Sequence, residues 1–167
     1  MPIDLTGNNF DQTVFGNAGA NTLRGLGGRD FLIGFAGNDK LIGGDGDDDL
    51  KGDLGFDKMA GGAGKDVFTF LTLADSGIGA AKADQITDFA TGDRINVSAI
   101  DAIAGGGHDV FKLDAGGAFV AGEIHQTVSG ESLVLDFNVD GDAAAEMSIV
   151  LVGHTALLSA ADFQLLI

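Results

Sequence analysis

The chain has 167 residues and a formal net charge of −16, from 25 acidic against nine basic residues. That balance argues against nucleic acid and anionic membrane surfaces as partners, and no apolar run is long enough for a membrane-inserted helix. With no cysteine, a disulfide scaffold is excluded and metal is the available staple. The first residues, Met1 to Thr6, lack the basic and apolar regions of a signal peptide, so export information is expected elsewhere.

From Gly7 onward a nine-residue unit repeats seven times. Glycine opens each unit, at Gly7, Gly16, Gly25, Gly34, Gly43, Gly52 and Gly61. Aspartate holds the sixth place in the last five units: Asp30, Asp39, Asp48, Asp57 and Asp66. The eighth place is apolar throughout, from Val14 through Leu23, Leu32, Leu41, Leu50 and Met59 to Phe68. A fixed period of this kind describes a small unit that stacks on itself. The glycine-rich first six residues suit a tight turn with carbonyls facing inward. The last three suit a short strand whose middle residue points into a core.

Turn, strand, turn, strand makes a coil of eighteen residues, so units two apart stack directly. The sixth-place residues then sort into two columns: Gln12, Asp30, Asp48, Asp66 and Asn21, Asp39, Asp57. Stacked strands lie about 4.8 Å apart, so bare carboxylates in a column repel. A hard cation between turns removes the conflict, and calcium, with six to eight oxygen ligands in flexible geometry, suits the site. The candidate side-chain ligands are Asp30, Asp39, Asp48, Asp57 and Asp66, with Asn21 and Asp45 as further oxygen donors. Backbone carbonyls of the turns that contain Gly25, Gly27, Gly34, Gly43, Gly52 and Gly61 are expected to complete the shells. At least three calcium ions follow from the pairs Asp30–Asp48, Asp48–Asp66 and Asp39–Asp57, with Asn21–Asp39 as a weaker fourth.

The units Gly43-Gly44-Asp45-Gly46-Asp47-Asp48-Asp49-Leu50-Lys51 and Gly61-Gly62-Ala63-Gly64-Lys65-Asp66-Val67-Phe68-Thr69 resemble the hemolysin-type calcium-binding repeat of RTX proteins. The resemblance implies an all-β fold: a right-handed parallel β-roll of nonapeptide repeats, with Ca2+ between stacked turns. Residues 1–15 read as an amino-terminal cap with a degenerate first repeat, 16–69 as the calcium-binding roll and 70–167 as an antiparallel β-rich cap; the first two units, with Gln12 and Asn21 in place of aspartate, read as capping units with weak or absent metal sites.

After Phe68 the period stops on this reading. Strand-like runs follow at 85–89, 94–97, 110–113, 123–128, 133–137 and 147–152. Ser98 and Ser159 are placed to cap short turns. Asp84-Gln85-Ile86-Thr87-Asp88-Phe89, the run Gly92 to Ala102, the segment Leu135 to Asp142 and the terminus Ser159 to Ile167 resemble the carboxy-terminal region of serralysin-type secreted proteins. That likeness implies an uncleaved signal at Asp162 to Ile167, read by type I secretion machinery, and a secreted, extracellular protein of a Gram-negative bacterium.

Other chemistry finds little support. Asp136 to Asp142 resembles the start of an EF-hand loop, but its twelfth position is Met147; a β-hairpin turn at Asp140-Gly141 is the better reading, with an extra weak calcium site as the minority one. His108, His125 and His154 form no zinc motif. No phosphate loop or nucleophile elbow is present, and no enzyme is expected. The leading expectation is a calcium-binding module, part of a larger secreted protein, that folds on calcium binding outside the cell. The alternative is a stand-alone extracellular adhesin, or a polysaccharide-binding protein bridged by calcium, using outward residues such as Phe31, Ile33, Phe35 and Ile42.

Overall fold

The structure is a computed structural model, and it describes residues 1–103, 109–114, 118–140 and 142–165. The repeats form strands β1 (Asp4–Thr6), β2 (Gln12–Asn17), β3 (Thr22–Gly27), β4 (Asp30–Ala36), β5 (Lys40–Asp45), β6 (Asp49–Leu54), β7 (Lys58–Ala63) and β8 (Val67–Thr69). Most of these strands are longer than the three residues expected. The ladder continues past the first glycine of the next unit, because the backbone there still pairs with the coil above: Leu26 stands opposite Gly44 and Gly27 opposite Asp45.

Odd strands stack in one sheet and even strands in the other, all parallel, with an eighteen-residue register such as Leu23↔Leu41 and Leu32↔Leu50. Parallel stacking in register puts the apolar eighth-place residues into one ladder between the sheets. Leu23, Leu32, Leu41, Leu50, Met59 and Phe68 are fully buried. Burial of such a side chain stabilises by about 1.5–3 kcal/mol. The outward residues differ between sheets: Arg24, Lys40 and Lys58 on the odd one, Phe15, Phe31 and Ile33 on the even one.

The roll does not stop at Phe68. After a short 3-10 turn at Leu73–Asp75, β9 (Asp84–Ile86) pairs parallel with β7, and β10 (Arg94–Asn96) pairs parallel with β8. The register jumps to 27 residues, as in Lys58↔Gln85 and Val67↔Arg94, because residues 70–83 loop out of the coil. That loop is held down by Ser76, whose hydroxyl donates to the Ser148 carbonyl at 2.6 Å and accepts from the Asp84 N–H at 2.8 Å.

The odd sheet continues through β11 (Lys112–Leu113), β12 (Glu123–Ser129), β13 (Ser132–Asn138) and β14 (Met147–Val152), in the spatial order β9-β14-β13-β12-β11. Among the described residues, the antiparallel pairs are β12 with β13 and β13 with β14, so the antiparallel layer starts later in the chain than the strand-like runs imply. The tight hairpin turn is at Gly130-Glu131, between Ser129 and Ser132, with Gly130 at φ +64°. β13 and β14 do form a hairpin, but residues 139–146 connect them, not a two-residue turn; Gly141 lies outside the described residues. Ser159 caps a 3-10 turn at Ala160–Asp162, and β15 (Phe163–Gln164) closes the even sheet against β10. One apolar core runs from Val14 through Ile86 and Ile95 to Phe137, Ile149 and Phe163.

Candidate metal centre in the stacked corners

Parallel stacking fixes where each sixth-place side chain points. Asp30, Asp39, Asp48, Asp57 and Asp66 are all buried at the corners between coils, each at most 2% exposed. In every case one carboxylate oxygen, Oδ1, accepts a backbone N–H from the sixth-place residue one coil earlier. Gln12 donates to Asp30 at 3.1 Å, Asn21 to Asp39 at 2.6 Å, Asp30 to Asp48 at 2.8 Å, Asp39 to Asp57 at 2.7 Å and Asp48 to Asp66 at 2.9 Å.

The other oxygen, Oδ2, has no hydrogen-bond partner in Asp30, Asp39, Asp48, Asp57, Asp66 or Asp84. It also faces further acceptors. A Cβ added to Gly25 would run into Asp30 Oδ2 and come within 2.6 Å of the Gly43 carbonyl oxygen. Gly34 has the same relation to Asp39 and the Gly52 carbonyl, and Gly43 to Asp48 and the Gly61 carbonyl. The first-place glycine therefore makes room for a pocket of oxygen atoms. Among the described residues, no ion pair reaches any of these carboxylates.

An unpaired buried acceptor costs about 1–3 kcal/mol, and more when charged. Six of them would offset most of the roughly 5–15 kcal/mol that holds a domain folded. Burial, reinforced by neighbouring carboxylates, pushes Asp48 and Asp66 up to about 6, Asp57 to about 7 and Asp84 to about 9, while backbone hydrogen bonds oppose the shift. Carboxylates and carbonyls converging without a donor form a donor set suited to a hard divalent cation such as calcium.

The columns extend beyond the repeats. Asp57 N–H donates to Asp84 at 2.8 Å and Asp66 N–H to Asp93 at 3.0 Å. The expected break after Phe68 is therefore a break in strand register, not in aspartate spacing: Asp75, Asp84 and Asp93 follow Asp66 at nine-residue steps, and Ile86 and Ile95 keep the apolar place. Asp75 is spent within the loop, accepting from the N–H groups of Leu71 and Thr72. Asp93 is satisfied on its second oxygen by the Ala90 N–H, at 2.8 Å.

The remaining candidates fall as follows. Gly25, Gly34, Gly43, Gly52 and Gly61 are buried beside the aspartates. Gly27 is buried with Asn9 as its near neighbour, and Asp45 is exposed at the end of β5. Asn21 is buried at the head of its column, where its amide nitrogen donates to three oxygens. Asp140, Asp142 and Glu146 bring carboxylate oxygens within 4.8 Å of one another, and one oxygen of each accepts an N–H, from Asp142, Ala144 and Val139 respectively; Asp140 and Asp142 are exposed. His125 lies 3.7 Å from Asp114, and His154 packs edge-on against Phe89; His108 lies outside the described residues.

Residues 20–165 match the family described as Peptidase M10 serralysin C terminal. The chain belongs to the serralysin C-terminal family. The parallel coil is the RTX β-roll of this family, whose repeats bind calcium. Among solved structures, the chain is similar to two subunits of a mannuronan C5-epimerase from Azotobacter vinelandii. The AlgE6R3 subunit is 30% identical, with 96% of this chain and 81% of that one covered and a TM-score of 0.47. The AlgE6R2 subunit is 29% identical, with 99% and 92% covered and the same TM-score. A search of curated protein sequences finds no match.

Proposed function

We propose that this serralysin C-terminal chain is a calcium-folded export module. Asp30, Asp39 and Asp48 hold calcium with the carbonyls of Gly43, Gly52 and Gly61, and Asp57, Asp66 and Asp84 continue the series. The observation that carries the reading is the set of six buried carboxylate oxygens without partners. With calcium absent, those groups oppose folding; with calcium bound, binding free energy becomes folding free energy. Affinities of roughly 10⁻⁴ to 10⁻³ M suit an extracellular module.

The physical consequence is a switch set by compartment. In a calcium-poor cytosol the repeats stay unfolded and able to pass through a type I exporter, with Asp162 to Ile167 as the signal. Outside a Gram-negative cell the roll folds. The module has no catalytic role on this reading and serves as the terminal part of a larger secreted protein. Circular dichroism during calcium titration, with bound metal counted, tests the folding step. Chain that is equally folded in chelator and in calcium at neutral pH overturns it.

A second reading, adhesion to polysaccharide, draws on the exposed ring pair Phe15 and Phe35, stacked with centroids 6.1 Å apart on the even-sheet side. Ile42 belongs to the odd sheet and cannot share that surface. Glycan binding that is lost on Phe15→Ala and Phe35→Ala substitution would favour this reading.

A further inference from the structure

The two columns begin on amides, not carboxylates, and the amides make contacts that the carboxylates cannot. Gln12 Nε2 donates to the Asn8 carbonyl at 2.9 Å and to the Gly25 carbonyl at 3.1 Å. Asn21 Nδ2 donates to the Asn17 carbonyl at 2.9 Å, the Gly34 carbonyl at 3.3 Å and Asp39 Oδ1 at 3.0 Å. In both units the carbonyl acceptors lie four residues before and thirteen residues after the amide.

The same spacing from Asp39 leads to Phe35 and Gly52. The Gly52 carbonyl and Asp39 Oδ2 sit together beside Gly34, just as the Gly34 carbonyl and Asn21 Nδ2 sit together beside Gly16. The Asn21 nitrogen therefore occupies the place of an orphaned Asp39 oxygen, but as a donor. Where the carboxylate needs a cation to join it to the carbonyls, the amide joins them by itself.

Backbone conformation supports the distinction independently. In the five aspartate units the second-place residue has positive φ: Leu26 at 88°, Phe35 at 76°, Gly44 at 123°, Asp53 at 62° and Gly62 at 103°. The equivalent residues of the amide units, Asn8 and Asn17, do not. Positive φ is costly for leucine and phenylalanine. The strained turn accompanies the carboxylate and is absent where the amide stands.

We propose that Gln12 and Asn21 are built-in cation substitutes, which close the amino-terminal end of each column without metal. This rests on the calcium reading above, and it replaces the expectation that Asn21 ligates an ion. The first coil is then independent of calcium and offers a template on which the metal-dependent coils stack.

The test counts calcium bound at saturation to the full chain and to Asn21→Asp and Asn21→Ala variants, with folding followed by circular dichroism. Asn21→Asp should bind one more ion than the parent and become more dependent on calcium for folding. Asn21→Ala should keep the parent ion count with a lowered melting temperature. An unchanged count in Asn21→Asp, its failure to fold at saturating calcium, or the loss of an ion in Asn21→Ala would each overturn the proposal. A parent chain that binds no calcium would instead overturn the reading on which it rests.

Discussion

The backbone N–H of Asp30 donates to Oδ1 of Asp48 across 2.8 Å, while Oδ2 of Asp48 is buried with no partner. One carboxylate thus does two jobs. Its first oxygen ties successive coils together, and its second creates the demand for a cation. The two can be separated by substitution.

Asp48→Asn should keep the tie to Asp30 and place a donor at the second oxygen's position, by the logic seen at Asn21. Because only its Oδ2 is free, it should bind one calcium ion fewer, not the two that the pairs Asp30–Asp48 and Asp48–Asp66 imply, yet be more folded than the parent in chelator. Asp48→Ala removes both functions, leaves the Asp30 N–H unpaired and should cost about 1–3 kcal/mol in either condition. Metal counting and denaturant melts with and without calcium distinguish the two variants. Equal behaviour of the two would show that the second oxygen is not the metal-facing one.

The raised aspartates set a pH dependence whose sign differs with and without metal. Asp48, Asp66, Asp57 and Asp84 stand at about 6, 6, 7 and 9 in the metal-free fold, against 3.8 for an ordinary aspartate. The metal-free folded chain then holds more protons than the unfolded chain. Their contribution to its stability is fully present below about pH 4 and is lost as pH rises through 6 to 9. Calcium needs the ionised carboxylates, so its midpoint concentration should fall between pH 5.5 and 7.5. Melts in chelator across that range should show stability falling as pH rises, while calcium titrations show apparent affinity rising.

Gly43→Ala should behave as a metal-site mutation. The added Cβ meets the Asp48 carboxylate and lies 2.5 Å from the Gly61 carbonyl oxygen. Overpacking of this kind costs about 1–3 kcal/mol, and here it also closes the oxygen pocket. Gly130→Ala, with nothing within 4 Å of its Cβ position, is the comparison. Its φ of +64° should lower stability without moving the number of ions bound.

Removal of residues 162–167 should have two effects. Phe163 is buried and β15 pairs with β10, so the truncated chain should need more calcium to fold. Export through a matching type I system should also stop, because the signal must be read before folding. Secretion at the parent level would contradict the export reading whatever the folding result.

The repeats were legible because each column has one physical demand: glycine for room, aspartate for oxygen, an apolar residue for the core. Leu23, Leu32 and Leu41 are buried where the period puts them, and Asp30, Asp39 and Asp48 line up as the eighteen-residue coil requires. Asp84 and Asp93 do not stand out as column members in the sequence, because residues 70–83 interrupt the strands and the first-place glycine gives way to Asp88 before Asp93. Their nine-residue phase with Asp66 was the available signal. The sequence offers Asn21 as a weak ligand because an amide carries an oxygen. Only the hydrogen bonds reveal that its nitrogen faces the carbonyls. The long 139–146 connection was hidden because Asp140-Gly141 is also the composition of a tight turn.

Whether calcium folds the repeats is decided by calcium titration of the full chain at neutral pH, followed by circular dichroism with simultaneous counting of bound metal. The repeat region should be largely unfolded in chelator and should gain β-structure cooperatively as at least three ions bind. A chain fully folded in chelator, or folded in calcium with fewer than three ions in the repeats, would contradict this expectation.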